Sequence, residues 1–486
     1  MIDDRGSTPG LALAIPALLG AGVLVALIAG VLIGGAYDNL APFLAVGMLA
    51  VICMVRPKFG IYLVLVALVL EGFFRNLANS PNVLLVKDAM LIGIYLRVLG
   101  DSLARRGLRV RSPITVPLVV FSGIVLLESF NPAVGSLPQA LVGIHTWLFY
   151  VPLYFVARQL FNTDRDRRHV VNFILLSAVP VCIVAIVQFL LGPTFYANLG
   201  QGFAQGLFVI GSSTGGIYRP ASLFAYSSHF ALFLAGVTLL TTGVLFGSTG
   251  RRRLLLLLLL GLLVGVNLVE GQRTVFILLP PLMIFILILR RSGGAFATIL
   301  SAAAVGLLLV LGVLFLQTTN QFTVFDRVAQ TFTNQGGVVG AHGSYYLQLL
   351  TSAIGNSPIG RGTGATSIAA RFTGSNVLFL EFSLARVVGD LGLLGLGAYL
   401  WLLVSVTLAT TRVHRDAARA GQGELAGFAA AIVAYQLLIL YYGYDLAVAA
   451  IPFWLLSGML SPLREVTIEP APARPDLLVA RRAVSQ

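Results

Sequence analysis

Residues 251–273 read RRRLLLLLLLGLLVGVNLVEGQR, and this stretch decides the fold class. From Leu254 to Val269 the chain is apolar on nearly every face. As a helix rising ~1.5 Å per residue, a run of this length approaches the ~30 Å of a bilayer's hydrocarbon layer. Alternation with period two, which a barrel strand would need, is missing here. A helix is the form that pairs every backbone donor and acceptor inside one lipid-facing segment. Three arginines precede the run and polar residues follow it, as expected at two membrane interfaces.

Similar runs recur from Leu11 almost to Leu463. Over 486 residues the chain is 57% hydrophobic and 10% charged, with a mean hydropathy of +0.92. A single water-soluble core cannot bury that much apolar surface. The pattern predicts an all-α polytopic membrane protein of about fourteen spans, near 11–34, 40–55, 59–74, 84–99, 113–130, 141–161, 169–191, 221–247, 254–270, 274–289, 295–316, 378–411, 425–443 and 446–463. Residues 1–463 then form the transmembrane domain. Within it, 317–376 is a large Gly-, Thr- and Asn-rich loop with a helix-like stretch from Ser344 to Ile354; 464–486 is a disordered, Pro/Ala/Arg-rich cytoplasmic tail. Met1 to Gly10 carry two acids and one Arg rather than a basic n-region, so 11–34 reads as a retained helix and not a signal peptide.

A net charge of +13 would suggest nucleic acid in a soluble protein, but here the cations cluster in short loops. With both termini cytoplasmic, the inner loops receive Arg56/Lys58, Arg105/Arg106/Arg109/Arg111, Arg165/Arg167/Arg168, Arg251–Arg253, Arg290/Arg291, Arg412/Arg415/Arg419 and the tail. That leaves Arg75, Lys87, Arg219, Arg273, Arg327, Arg361, Arg371 and Arg386 outside, and about 24 of the 32 cations inside. A cation on the disfavoured side needs an acidic partner or an anionic ligand.

Arg219, in Tyr218-Arg219-Pro220, and Arg273, in Glu270-Gly271-Gln272-Arg273-Thr274, each stand at the outer start of an expected helix. Side-chain charge, unpaired N–H groups and the helix dipole all favour a phosphate there. Snorkelling to the interface is the other reading for both, and a salt bridge to Glu270 a further one for Arg273. Gly360-Arg361-Gly362-Thr363-Gly364 lacks the Gly-Lys-Ser/Thr ending of a P-loop; it forms either an anion-binding nest beside Arg361 or a plain turn after Pro358. Glu381, in Leu378-Phe379-Leu380-Glu381-Phe382, is costly in a span unless it is paired or faces a wet cavity, and serves either as a general base or as an arginine's partner.

The remaining charges are read as structural. Arg386 and Asp390 share a helix face and are expected to pair, as are Glu71 and Arg75. Lys87 and Asp88 either compensate buried neighbours or line a polar path, the first being the simpler reading, while Glu128 and Asp445 sit where solvation is cheap. His169 and His414 fall in basic inner loops, His145 and His229 in spans, and His342 in the large loop, where it is either solvated or catalytic. No two histidines have metal spacing, and neither metal nor cofactor is expected. Cys53 and Cys182 read as small core residues.

The order of these features resembles the O-antigen ligase and O-antigen polymerase family of lipid-linked glycan transferases. The likeness covers roughly Tyr218 to Leu400. It is carried by Tyr218-Arg219-Pro220-Ala221-Ser222-Leu223-Phe224, by Gln272-Arg273-Thr274 after the next span, by Ser357-Pro358-Ile359-Gly360-Arg361-Gly362 closing the large loop, and by Gly389-Asp390-Leu391-Gly392. Where ligases of that family place a His-Asn pair this chain has Glu381-Phe382, which is more like the polymerase branch. The resemblance implies a membrane glycosyltransferase in a bacterial inner membrane, acting on its extracytoplasmic face by a metal-independent, inverting reaction. Its partners would be a polyprenyl-diphosphate-linked glycan donor, a glycan acceptor and membrane lipids, with no nucleic acid. Arg219, Arg273 and Arg361 would hold the diphosphate and Glu381 would be the catalytic base. A transporter or flippase is the alternative from another class; it would show two related halves with interrupted helices.

Overall fold

The leucine run folds as one helix. The computed structural model describes residues 40–78, 83–104, 112–191, 209–210, 217–290, 338–366, 380 and 382–461. In chain order the helices are α1 (Leu40–Val55), α2 (Pro57–Ala78), α3 (Leu84–Ala104), α4 (Thr115–Glu128), α5 (Leu137–Leu148), α6 (Leu153–Leu160), α7 (Asp164–Leu191), α8 (Ser227–Leu245), α9 (Gly250–Glu270), α10 (Arg273–Arg290), α11 (Val338–Asn356), α12 (Ser383–Arg419), α13 (Gly423–Tyr442) and α14 (Ala447–Met459). Among the described residues the one strand pairing joins β1 (Val209–Ile210) antiparallel to β2 (Ile217–Tyr218), with Val209 opposite Tyr218.

Apart from that two-residue pairing the described residues are helices and their connections, and seven helical segments among them are long and apolar enough to cross a membrane. They are α2, the joined pair α5–α6, α7, α8, α9, α12 and α13; α1, α4, α14 and most of α10 are shorter apolar helices. The expected spans 11–34 and 295–316 lie outside the described residues, as do 317–337 of the large loop and the tail 464–486. Local signals explain several boundaries. The Ser136 side chain accepts from the Gln139 N–H and Pro138 occupies the first turn of α5. Gly271, at φ 70°, caps α9 by donating its N–H to the Asn267 carbonyl. The helix-like stretch of the large loop is longer than expected, from Val338, and it ends at Asn356 before Pro358.

Helices α8 and α13 are the innermost, each with 78% of its apolar window buried. They approach closely because Gly243 faces Gly427 and Ala431 with no side chain between them. Thr238, Thr241 and Thr242 of α8 return their hydroxyls to carbonyls one turn back, so the tight contact carries no unpaired donor. On the outside, Leu254, Leu255 and Leu258 of α9 and Leu176 of α7 are more than half exposed, the surface a lipid solvent calls for.

One end of the bundle collects the basic loops: Lys58 pairs with Asp166, while Arg168 and Arg252 both pair with Glu424. Helices α9 and α13 each run from there to the opposite end, about 30 Å away at 1.5 Å per residue. Arg219, Glu270, Tyr442 and Arg386 gather at that far end.

Candidate functional site

The far end is built from loops. Pro220 does not open a helix as expected. Residues 221–226 form a folded connection first, because Ser222 takes a left-handed φ of 53° and is pinned to α7: its N–H donates to Gln188 Oε1 at 2.8 Å and its hydroxyl to the Val181 carbonyl at 2.7 Å. Phe73 of α2 adds an N–H to the Leu223 carbonyl at 2.9 Å. The chain is thus led across α7 and α2 before α8 starts, and Arg219 is left buried at 7% exposure instead of snorkelling.

Its guanidinium enters the turn between α9 and α10. Nε donates to the Glu270 carbonyl at 3.1 Å, and Nη2 meets the Glu270 carboxylate and donates to Gln272 Oε1 at 2.8 Å. The second Glu270 oxygen accepts the Gln272 N–H at 2.9 Å, so the fully buried carboxylate organises its own turn. Nη1 of Arg219 has no hydrogen bond among the described residues. The backbone of Arg273 opens α10 at this spot; its side chain lies outside the described residues. Arg219 pairs with Glu270, the carboxylate that the sequence offers to Arg273, whose own pairing lies outside the described residues.

Gln272 carries the network onward, donating from Nε2 to the Tyr442 hydroxyl at 3.2 Å. The Tyr442 carbonyl accepts from Arg386 Nη2 at 2.5 Å, and the same nitrogen donates to Asp445 Oδ1 at 2.9 Å. Arg386 Nη1 reaches the Leu380 carbonyl at 3.2 Å. Glu381 itself lies outside the described residues, but both its neighbours belong here: Leu380 through that bond, and Phe382 through a ring tilted against those of Tyr346 and Tyr441. Tyr441 donates to Tyr346 at 2.5 Å, which ties α11 of the large loop to the same end.

Two expectations about α12 and its neighbours are corrected. Arg386 does not pair with Asp390, and Asp445 is not a solvated acid: it is buried and holds Arg386. Asp390 is instead held by the glycine loop, accepting from Gly364 N–H at 3.3 Å, from Thr366 N–H at 2.7 Å and hydroxyl at 2.8 Å, and from Trp147 Nε1 at 3.0 Å. Gly360, Gly362 and Gly364 all have positive φ, as a nest would, but their neighbourhood is filled by the protein itself: the Gly364 N–H donates to Asp390, the Gly360 N–H to the Ser357 carbonyl and the Arg361 N–H to the Gly389 carbonyl. Arg361 is exposed beside this loop, its Nε on Ser357 Oγ at 2.8 Å, with no contact to Arg219 or Arg386 among the described residues. The loop reaches α12 where Gly392, at φ 67° and ψ −169°, breaks the helix; the Leu393 N–H turns to the Pro358 carbonyl.

Elsewhere Glu71 pairs with Lys87 at 2.8 Å rather than with Arg75, which lies 4.8 Å over the Tyr226 ring. Asp88 accepts from Tyr150 and meets His145 Nε2 at 3.1 Å, so Lys87 and Asp88 do compensate buried neighbours. His414 is not in a loop; it is buried in α12 against the Ala426 carbonyl. The side chain of His342 lies outside the described residues. Cys53 and Cys182 are buried and unbridged.

Gln272 and Tyr442 have no role in the sequence reading, while Glu270 enters it only as a partner for Arg273 and Asp445 only as a solvated acid. For Glu270 a signal existed: a carboxylate as the last residue of a helix opposes the dipole and requires a cation close by. Comparison with known proteins finds no matching family model and no matching curated protein.

Proposed function

We propose that the far end of the bundle is the active site of a membrane glycosyltransferase that transfers a glycan from a polyprenyl diphosphate carrier, the end facing away from the cytoplasm. The observation that carries the reading is the convergence of Arg219, with Nη1 uncommitted among the described residues, on the N-terminus of α10, where helix dipole and free N–H groups favour a phosphate. Arg219 and Arg273 hold the diphosphate there, with Arg361 assisting from the glycine loop. The acceptor hydroxyl attacks the anomeric carbon of the donor sugar, the bond from that carbon to the phosphate oxygen breaks, and configuration inverts. The hydroxyl proton goes to Glu381, and the arginines stabilise the charge that grows on the departing diphosphate. The large loop, through α11, positions the two glycans.

In this reading the chain has about fourteen spans, sits in a bacterial inner membrane and has both termini in the cytoplasm. The basic loops sharing the opposite end support that orientation. Polymerisation is favoured over ligation because a carboxylate stands where the ligases have an imidazole. Purified protein given a lipid-diphosphate oligosaccharide is expected to lengthen it, and R219A, R273A and E381Q are each expected to lower the rate by about 100-fold or more, the scale of lost charge stabilisation or proton transfer. Wild-type rates in all three would overturn the assignment.

A transporter is the second reading, favoured by the break in α12 beside buried Asp390, since interrupted helices are what transporters use at their binding sites. Movement of unaltered substrate across proteoliposomes, without elongation, would establish it in place of the transferase.

A further inference from the structure

The basic end of the bundle contains a second site. There the first turns of α7, α9 and α13 converge around a cavity of about 330 Å³. Its polar wall holds Arg167, Arg168 and Arg252 against Asp164 and Glu424, and its floor is apolar, with Val171 and Phe428. Glu424 is shared between Arg168, whose Nε lies 2.8 Å away, and Arg252. Arg252 also donates to Asn172 Oδ1 at 3.0 Å, and Arg167 meets Asp164 at 2.9 Å. The Nε of Arg167 is buried without a hydrogen bond among the described residues. Three guanidiniums face two carboxylates, and three helix N-termini add their partial positive charge, so the cavity remains short of one anion.

We propose that this cavity binds the phosphate headgroup of an anionic membrane phospholipid. A guanidinium cluster is the side-chain chemistry that recognises a phosphodiester, through forked N–H donors. The lipid source, as opposed to free phosphate, follows from what lies beside the site. Leu254 and Leu255 stand within one turn of Arg252, are 57% and 56% exposed, and with Leu258 continue as an apolar strip along α9. Acyl chains attached to a headgroup in the cavity run down that strip, while the apolar floor takes the glycerol backbone; inorganic phosphate has no use for either. The site is independent of the transfer chemistry at the other end.

Native mass spectrometry of the detergent-purified full-length protein tests this with three probes: phosphatidylglycerol, phosphatidylcholine and inorganic phosphate. Phosphatidylglycerol is expected to be retained in preference to phosphatidylcholine, and not to be displaced by millimolar phosphate. R168Q/R252Q is expected to weaken retention by about tenfold or more, from two lost cations of roughly 1 kcal/mol each near a membrane surface. Should that variant fail to elute as a folded species, E424Q gives the opposite sign: removing the internal carboxylate is expected to tighten retention severalfold. Equal retention of both lipids, displacement by phosphate, unchanged retention in folded R168Q/R252Q, or no tightening in E424Q would each overturn the proposal.

Discussion

Arg219 and Glu270 compensate one another in a place where neither would be tolerated alone. Burying one charge without its partner costs about 3–5 kcal/mol, whereas replacing both by apolar side chains of similar volume is often neutral. E270Q is therefore expected to lower the thermal unfolding midpoint in detergent sharply, and R219L/E270L to restore most of it. An unaffected E270Q would show that the ion pair does not hold the turn together. The pair also explains how a cation on this side can coexist with a phosphate role: Nε and Nη2 fix the plane of the guanidinium and leave Nη1 uncommitted among the described residues. At this scale the sequence was a partial guide. It marked Arg219 as unusual but could not name its partner, which lies 51 residues along the chain. Arg386 shows the same limit, since a shared helix face suggests the neighbour four residues on, while the actual partner, Asp445, is 59 residues away.

The break in α12 is the element on which the far end depends. Gly392 has a φ of 67° with an extended ψ, a combination open essentially to glycine, and a side chain there would strike the Ile359 carbonyl. G392A is expected to cost about 1–3 kcal/mol from backbone strain alone, more with the collision, read as a lowered unfolding midpoint. The glycine loop that crosses the break is clamped by Asp390. In D390N the side chain keeps one acceptor oxygen for four donors, so the loop is expected to open more often and trypsin to cut after Arg361 at least several times faster. An unchanged cleavage rate would mean that the carboxylate is not what closes the loop. The seven long apolar helices were legible in the sequence because hydrophobic runs report directly on the solvent around them. The break was not, since a glycine inside an apolar run looks the same whether the helix passes through it or stops. Nor was the turn at Ser222, where bonds to α7 impose a backbone conformation that serine rarely adopts unaided.

Across the whole molecule, charge separates the two ends: Lys58, Arg168 and Arg252 share one, and Arg219 and Arg386 the other. If the basic end is cytoplasmic, the exposed Ile359 lies outside the cell and exposed Arg419 inside. Cysteine placed at 359 is expected to react with an impermeant maleimide on intact cells, and cysteine at 419 only after permeabilisation. Native Cys53 and Cys182 are buried and give little background. The reverse pattern, or labelling of both from outside, would place the candidate site on the wrong side for an extracytoplasmic donor.

The most direct measurement separates the two roles open to Arg219. R219L/E270L removes both charges of the ion pair together, so a guanidinium that serves only to balance Glu270 is dispensable in it. The expected result is a monodisperse protein with nearly wild-type thermal stability that elongates a lipid-diphosphate oligosaccharide at about one-hundredth of the normal rate or less. Elongation at the wild-type rate by that folded double variant would contradict a diphosphate-binding role for Arg219.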